Sequence, residues 1–168
     1  MEGTAVDWMT SVAISIDFSD SSGLDLPEPE RFVRLLARCA QAIGVEGEAE
    51  CHLSFISPDE MTGLNEEHMH HEGPTDVLSF AISFEPEFGL EIPRILGEIL
   101  ICPQVAAANA PEHAGGSHNG SLDDEIALLV VHGLLHLSGM DHEVDEEAEA
   151  MESREQELLA EFYYGVSR

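Results

Sequence analysis

The sequence predicts one folded domain that mixes four β-strands with about five helices and is organised around a central, histidine-bearing helix. Three observations predict it. A chain of 168 residues that is 43% hydrophobic has the length and the apolar content for one proper core. Segments whose apolar residues recur at every second position interleave with segments whose apolar residues recur at helical spacing. Near the C-terminal third, an apolar helical stretch carries His132 and His136 four residues apart, on one face.

Val12, Ile14, Ile16 and Phe18 alternate with Ala13, Ser15 and Asp17, which predicts a first strand over 12–18 with one buried face. From Pro29 to Ile43 the apolar positions Phe32, Leu36, Cys39, Ala40 and Ile43 keep helical spacing, and Gly44 stops the helix. Its outer face carries Arg31, Arg34 and Arg38. The expected arrangement is a solvated stripe with Arg34 paired to Glu30 at i, i+4, and the alternative is a small docking patch for RNA or an acidic partner. Cys51, Leu53 and Phe55 alternate with His52 and Ser54 as a second strand. The run S-P-D-E at 57–60 then opens a second helix to about His68, with Ser57 as N-cap, Pro58 in the first turn and Glu60 completing a capping box. His68, His70 and His71 adjoin the loop marked by Glu72, Gly73 and Pro74 and read as exposed residues, not ligands.

Leu78, Phe80, Ile82 and Phe84 alternate with small and polar residues as a third strand. A loop over 85–93, a fourth strand over 95–102 and a short alanine-rich helix over 103–110 follow. Residues 110–121, rich in Gly, Ser and Asn, read as a flexible internal connector too short to separate domains, with His113 and His118 as mobile surface residues. Ser121 and Asp124 cap the central helix, whose Ile126, Leu129, Val130, Leu134 and Leu137 bury one side. From Asp145, seven acidic residues fall within the thirteen positions ending at Glu157, then give way to Leu158, Leu159, Phe162 and Tyr163. This reads as a last helix with a charged outer face and an apolar docking end.

The charge is extreme. The chain carries 34 Asp and Glu against six Arg and no Lys, a formal charge of −28. Self-repulsion and high solubility follow, and a broad basic groove for nucleic acid is excluded. A surface of this kind suits high salt. The N-terminus lacks a basic segment followed by an apolar run, so no signal peptide is expected, and no stretch approaches the roughly 18 apolar residues of a membrane span. Cys39, Cys51 and Cys102 are odd in number, widely spaced and set in apolar segments, which predicts buried thiols in a reducing cytoplasm.

The chemistry concentrates in V-H-G-L-L-H-L-S-G-M-D-H, residues 131–142. His132 and His136 share a helix face, Gly139 permits the turn that ends the helix, and the turn brings His142 back toward them. Three imidazoles with a position left for water are the make-up of a catalytic zinc site, so hydrolysis is the chemistry to expect. The spacing equals that of the metzincin proteases, H-E-x-x-H-x-x-G-x-x-H, with one break. Where those enzymes carry a glutamate as general base, this chain has Gly133, so a metalloprotease or other small-substrate metallohydrolase becomes the alternative reading.

The run H-G-L-L-H-L-S-G-M-D-H resembles the signature of the YbeY family of metal-dependent endoribonucleases, usually H-G-x-L-H-L-x-G-Y-D-H. Two further stretches agree: L-N followed by P-T-D-V-L-S-F within 64–80, and L-G-E-I-L-I-C at 96–102. The resemblance spans about residues 11–160. It implies a single α+β domain with a small mixed four-stranded sheet, and one zinc ion per chain held by His132, His136 and His142. It also implies single-strand-specific endoribonuclease activity in ribosomal RNA maturation and ribosome quality control, in the cytoplasm. The partners it implies are ribosomal RNA, the pre-ribosomal small subunit and basic ribosomal proteins, with the chain a monomer; a ribosome-assembly factor with mainly structural zinc is a further alternative. Asp141 is expected to orient an imidazole or to shape the turn. Thr75, Asp76 and Ser79 match the family strand and are expected to line or support the pocket. Two positions depart from the pattern. Met69 stands where many members carry an arginine, and Met140 replaces the usual tyrosine. Arg94 or an arginine of the first helix is the available substitute cation.

Overall fold

The computed structural model describes residues 12–45, 47–82, 94–140 and 144–166. Four strands, β1 (Val12–Asp20), β2 (Gly47–Phe55), β3 (Val77–Ala81) and β4 (Arg94–Ile101), form one sheet in the order β1-β2-β4-β3. β1, β2 and β4 are parallel, and β3 pairs antiparallel with β4 at the edge, so the sheet is mixed as expected. Among the described residues five α-helices accompany it: α1 (Glu30–Ala42), α2 (Pro58–Met69), α3 (Pro103–Asn109), α4 (Leu122–Leu137) and α5 (Asp145–Leu159). A 3-10 turn over Ala110–His113 follows α3, and a π turn over Ala160–Tyr164 continues α5. The first eleven residues, the predicted loop at 85–93 and the end of the predicted third strand lie outside the described residues.

The main core forms where α1 and α4 cover one face of the sheet and α5 packs on α4. Alternation in β2 sends Ala49, Cys51, Leu53 and Phe55 to that face, where they meet Phe32, Leu36 and Cys39 of α1, Ile126, Val130 and Leu134 of α4, and Met151, Leu158 and Leu159 of α5. Burying side chains of this size contributes about 1.5–3 kcal/mol each. The other face is covered only in part. Met61 of α2 packs on Leu78, Leu100 and Cys102 there, while Ser15, Asp17 and His52 of β1 and β2 stay exposed. All three cysteines are buried and unpaired.

Local signals behave as their chemistry predicts. The capping box of α2 is complete: Ser57 Oγ accepts from the Glu60 N–H at 3.2 Å, and the Glu60 carboxylate accepts from the Ser57 N–H. Asp124 N–H donates to Ser121 Oγ at the start of α4. Gly139, at φ +104°, takes the left-handed conformation that ends α4, and Met140 N–H reaches back to the Leu135 carbonyl at 3.0 Å.

Two expectations are corrected. Arg34 is exposed and, among the described residues, makes no ion pair with Glu30; the acidic partner that this arginine stripe has there is Asp123, which Arg31 reaches at 2.7 Å. The connector histidines are not both surface residues either. His118 is buried, because its ring closes onto the fully buried carboxylate of Glu125 in α4.

Candidate metal centre

α4 positions the two predicted ligands. Its apolar residues bury the helix between the sheet and α5, and this leaves His132 and His136 half-buried, side by side. Their rings stand nearly perpendicular, 4.6 Å apart, with the two Nε2 atoms turned toward each other at 3.0 Å. Donor atoms of a tetrahedral zinc site with bonds of 2.0–2.1 Å lie roughly 3.3 Å apart, so the pair has close to the spacing a shared metal ion requires.

The other nitrogen of His132 is occupied. Its Nδ1–H donates to Glu155 Oε2 in a short contact, and Glu155 is only 7% exposed. That bond places the ring proton on Nδ1 and leaves Nε2 as the lone-pair side, the arrangement a metal-ligating histidine needs. Glu155 comes from α5, so docking of α5 on α4 sets the orientation of His132. Sequence reasoning placed Glu155 in the charged outer face of the last helix. Its position shows otherwise: Met151, Glu155, Leu158 and Leu159 fall at i, i+4, i+7 and i+8, the buried stripe of α5. An acid in an apolar stripe was the signal to read.

Gly133 explains why this helix lies so close to the sheet. A Cβ at that position would meet Ile99 Cγ2 at 2.8 Å and Ser79 Oγ at 3.0 Å, closer than side chains pack. A glutamate next to the first histidine therefore has no room here. The general base of the metzincin pattern is excluded by packing as well as by sequence.

The remaining site residues divide. Ser79 of β3 lies against α4 beside His132. The Asp76 carboxylate accepts from Thr75 Oγ1 at 3.4 Å and from Asn109 Nδ2 at 3.5 Å, and its charge acts on His113. Asp141 and His142 lie outside the described residues, as does the side chain of Arg94. Among the described residues no group of three His, Cys, Asp or Glu is arranged to hold a metal ion, the third member of the predicted set being His142. Met69 ends α2 and is 47% exposed, so no cation stands at that position. His68, His70 and His71 are exposed, as the loop composition predicts, and His68 lies edge-on to Phe80 at 5.2 Å.

A second histidine–carboxylate group lies toward the other end of α4. His118 Nδ1 accepts from the Gly120 N–H at 3.0 Å, so its proton is on Nε2, which donates to Glu125 Oε1 at 3.0 Å. His113 Nδ1 lies 2.9 and 2.8 Å from the two oxygens of the same carboxylate. The hydrogen bond to Glu125 raises the pKa of His113 most; partial burial opposes it, and the charges of Glu125, Asp76 and Glu112 add to it.

Comparison with known proteins agrees with this architecture. The family model described as endoribonuclease YbeY matches residues 18–163. A protein named endoribonuclease YbeY from Thermobifida fusca is 42% identical over 151 residues, which cover 88% of this chain and 93% of that protein. The protein of the same name from Bacillus subtilis is 36% identical, with 94% and 99% covered. The solution structure of TM1509 from Thermotoga maritima superimposes with a TM-score of 0.54 at 26% identity, covering 90% of this chain and 94% of that one. With the fold, the paired histidines on the central helix and the matched span in agreement, the chain belongs to the endoribonuclease YbeY family.

Proposed function

We propose that this protein is a zinc-dependent, single-strand-specific endoribonuclease that acts in ribosomal RNA maturation and ribosome quality control in the cytoplasm. The observation that carries this reading is the 3.0 Å approach of His132 Nε2 and His136 Nε2, with the far nitrogen of His132 held by Glu155. His142, ten residues after His132 and six after His136 in sequence, would complete a three-imidazole set for one ion per chain. When bound, zinc supplies a Lewis acid that makes hydrolysis accessible at neutral pH. The chain's own residues do the positioning. Glu155 fixes the His132 tautomer, the Gly133 contact with Ile99 sets the height of the pair above the sheet, and the absence of an adjacent carboxylate separates the site from peptide hydrolysis.

The substrate reading rests on the family: its named members are endoribonucleases. Among the described residues no helix is long and apolar enough to cross a membrane, in keeping with a substrate met in water. The test is cleavage of single-stranded and structured ribosomal RNA by protein purified without added metal, with zinc restored afterwards. Cleavage of the single strands by wild type, lost in His132→Ala and on chelation, supports the proposal. Activity that survives both would belong to a contaminating nuclease, and casein hydrolysis in its place would revive the protease reading.

A further inference from the structure

The chain has six basic residues, and four of them, Arg31, Arg34, Arg38 and Arg154, gather on α1 and the adjoining part of α5. Arg31 is bound to Asp123 at 2.7 Å and lies over the Phe32 ring at 4.7 Å. Arg154 reaches Glu157 at 3.6 Å and the Ala42 carbonyl, at the end of α1, at 3.5 Å. Arg34 and Arg38 differ from both. They are exposed and, among the described residues, make neither an ion pair nor a hydrogen bond, in a chain where carboxylates outnumber cations 34 to six. With acid so plentiful, two adjacent unpaired guanidinium groups are held away from internal neutralisation.

Arg38 borders a groove of about 600 Å³ between α1 and the turn that follows α5, lined also by Gln41, Phe162 and Val166, with Glu161 as its single carboxylate. A smaller crevice joins the groove to Arg31 and Arg34. Phe162 is half-buried, and Val166 is 57% exposed. Guanidinium groups set beside an aromatic ring are the combination that holds single-stranded nucleic acid, cations on phosphates and a ring under a base. An acidic peptide would use the cations and leave the ring idle. The chain as a whole, at a net charge of −28, repels a polyanion, and among the described residues this patch gathers the exposed arginines that a phosphate backbone would meet.

We infer that the Arg34–Arg38 groove is a docking surface for the phosphate backbone of single-stranded RNA, separate from the histidine centre. The inference rests on the ribonuclease reading and deepens it. Arg31 grips Asp123, nine residues before His132 on α4, which places the arginine stripe about 14 Å from the metal end along the helix axis. A strand of several nucleotides is needed to touch both, so long substrates gain from the groove and very short ones do not.

The test compares wild type, Arg34→Gln/Arg38→Gln, and a charge control, Ser15→Asp/Ser19→Asp, on the open face of β1. Binding of a long oligouridylate is followed by fluorescence anisotropy in chelator across a salt series, and cleavage of the same RNA and of a trinucleotide is followed with zinc restored. The arginine variant is expected to bind the long RNA roughly tenfold more weakly and to lose about 1.4 from the slope of log affinity against log salt, about 0.7 for each single-strand phosphate contact. Its KM for the long RNA rises and its trinucleotide cleavage stays unchanged. An arginine variant that keeps the wild-type slope, while the wild type cleaves RNA, overturns the docking surface and leaves the ribonuclease reading standing. An equal loss in the charge control overturns it as a general charge effect. A wild type that neither binds nor cleaves RNA overturns both readings.

Discussion

Glu155 links the chemistry of one helix to the packing of another. Its carboxylate is nearly buried and accepts a hydrogen bond from His132 Nδ1–H, so α5 contributes to the candidate metal centre. Replacing such a partner ordinarily lowers metal affinity about 10–100-fold. Glu155→Gln is therefore expected to weaken zinc binding by that factor in a chelator competition, with the circular dichroism of the fold unchanged; an unchanged affinity would reduce Glu155 to a packing residue. His132 and His136 were legible in the sequence because a four-residue spacing on one helix is a local fact. Glu155 was not, since its partner lies 23 positions away and an acidic run surrounds it. Cys39 and Cys51 were legible as inert thiols for the opposite reason, being set in apolar periodicity. Burial, above all, pushes both thiols up to about 12.

The start of α4 shows what composition hides. The segment over 110–121 has the Gly, Ser and Asn content of a loop, and it is one; yet His118 tucks under the helix to donate to Glu125, which is fully buried. A carboxylate in the first turns of a helix benefits from the positive end of the dipole, but without a donor its burial is costly. His118→Ala leaves His113 as the one imidazole on Glu125. We expect it to lower the stability measured by urea unfolding by about 2–3 kcal/mol, against less than about 0.5 for a change at exposed His71. His113 contributes in a pH-dependent way. Its folded pKa is raised above the ordinary 6.5, so its stabilising contact is fully present below that value and is lost as pH rises through the folded pKa. Unfolding midpoints of wild type and His113→Gln are thus expected to differ most below pH 6.5 and to converge in mildly alkaline solution. The sign is opposite for Glu60 of the α2 capping box. Hydrogen bonds from Ser21 and then from the Ser57 backbone depress its pKa, so its contribution is present above the ordinary 4.5 and fades as pH falls.

For the whole molecule, the number and order of elements were readable because each strand and helix announces itself through its own periodicity. Their arrangement was not. Nothing in the alternation of Leu78 and Phe80 says that β3 lies antiparallel at the edge beyond β4, because pairing is decided by neighbours far away in sequence. The charge is a property of the same scale. With a formal charge of −28, folding brings like charges together, and at 0.10–0.15 M salt screening relieves the repulsion between exposed charges more than roughly 8–10 Å apart. The thermal midpoint is expected to climb from low to molar sodium chloride. A flat profile would mean that the acidic surface carries no stability penalty.

The contact between Gly133 and Ile99 gives the hydrophobic core a say in the metal centre. Because no side chain separates α4 from β4 at that point, the helix rests directly on the isoleucine, and the height of the His132–His136 pair is set by the volume of a core residue. The site is in this sense adjustable from below. Trimming Ile99 lets the helix settle and enlarging it lifts the pair, so changes in the core of this protein act as changes in its chemistry.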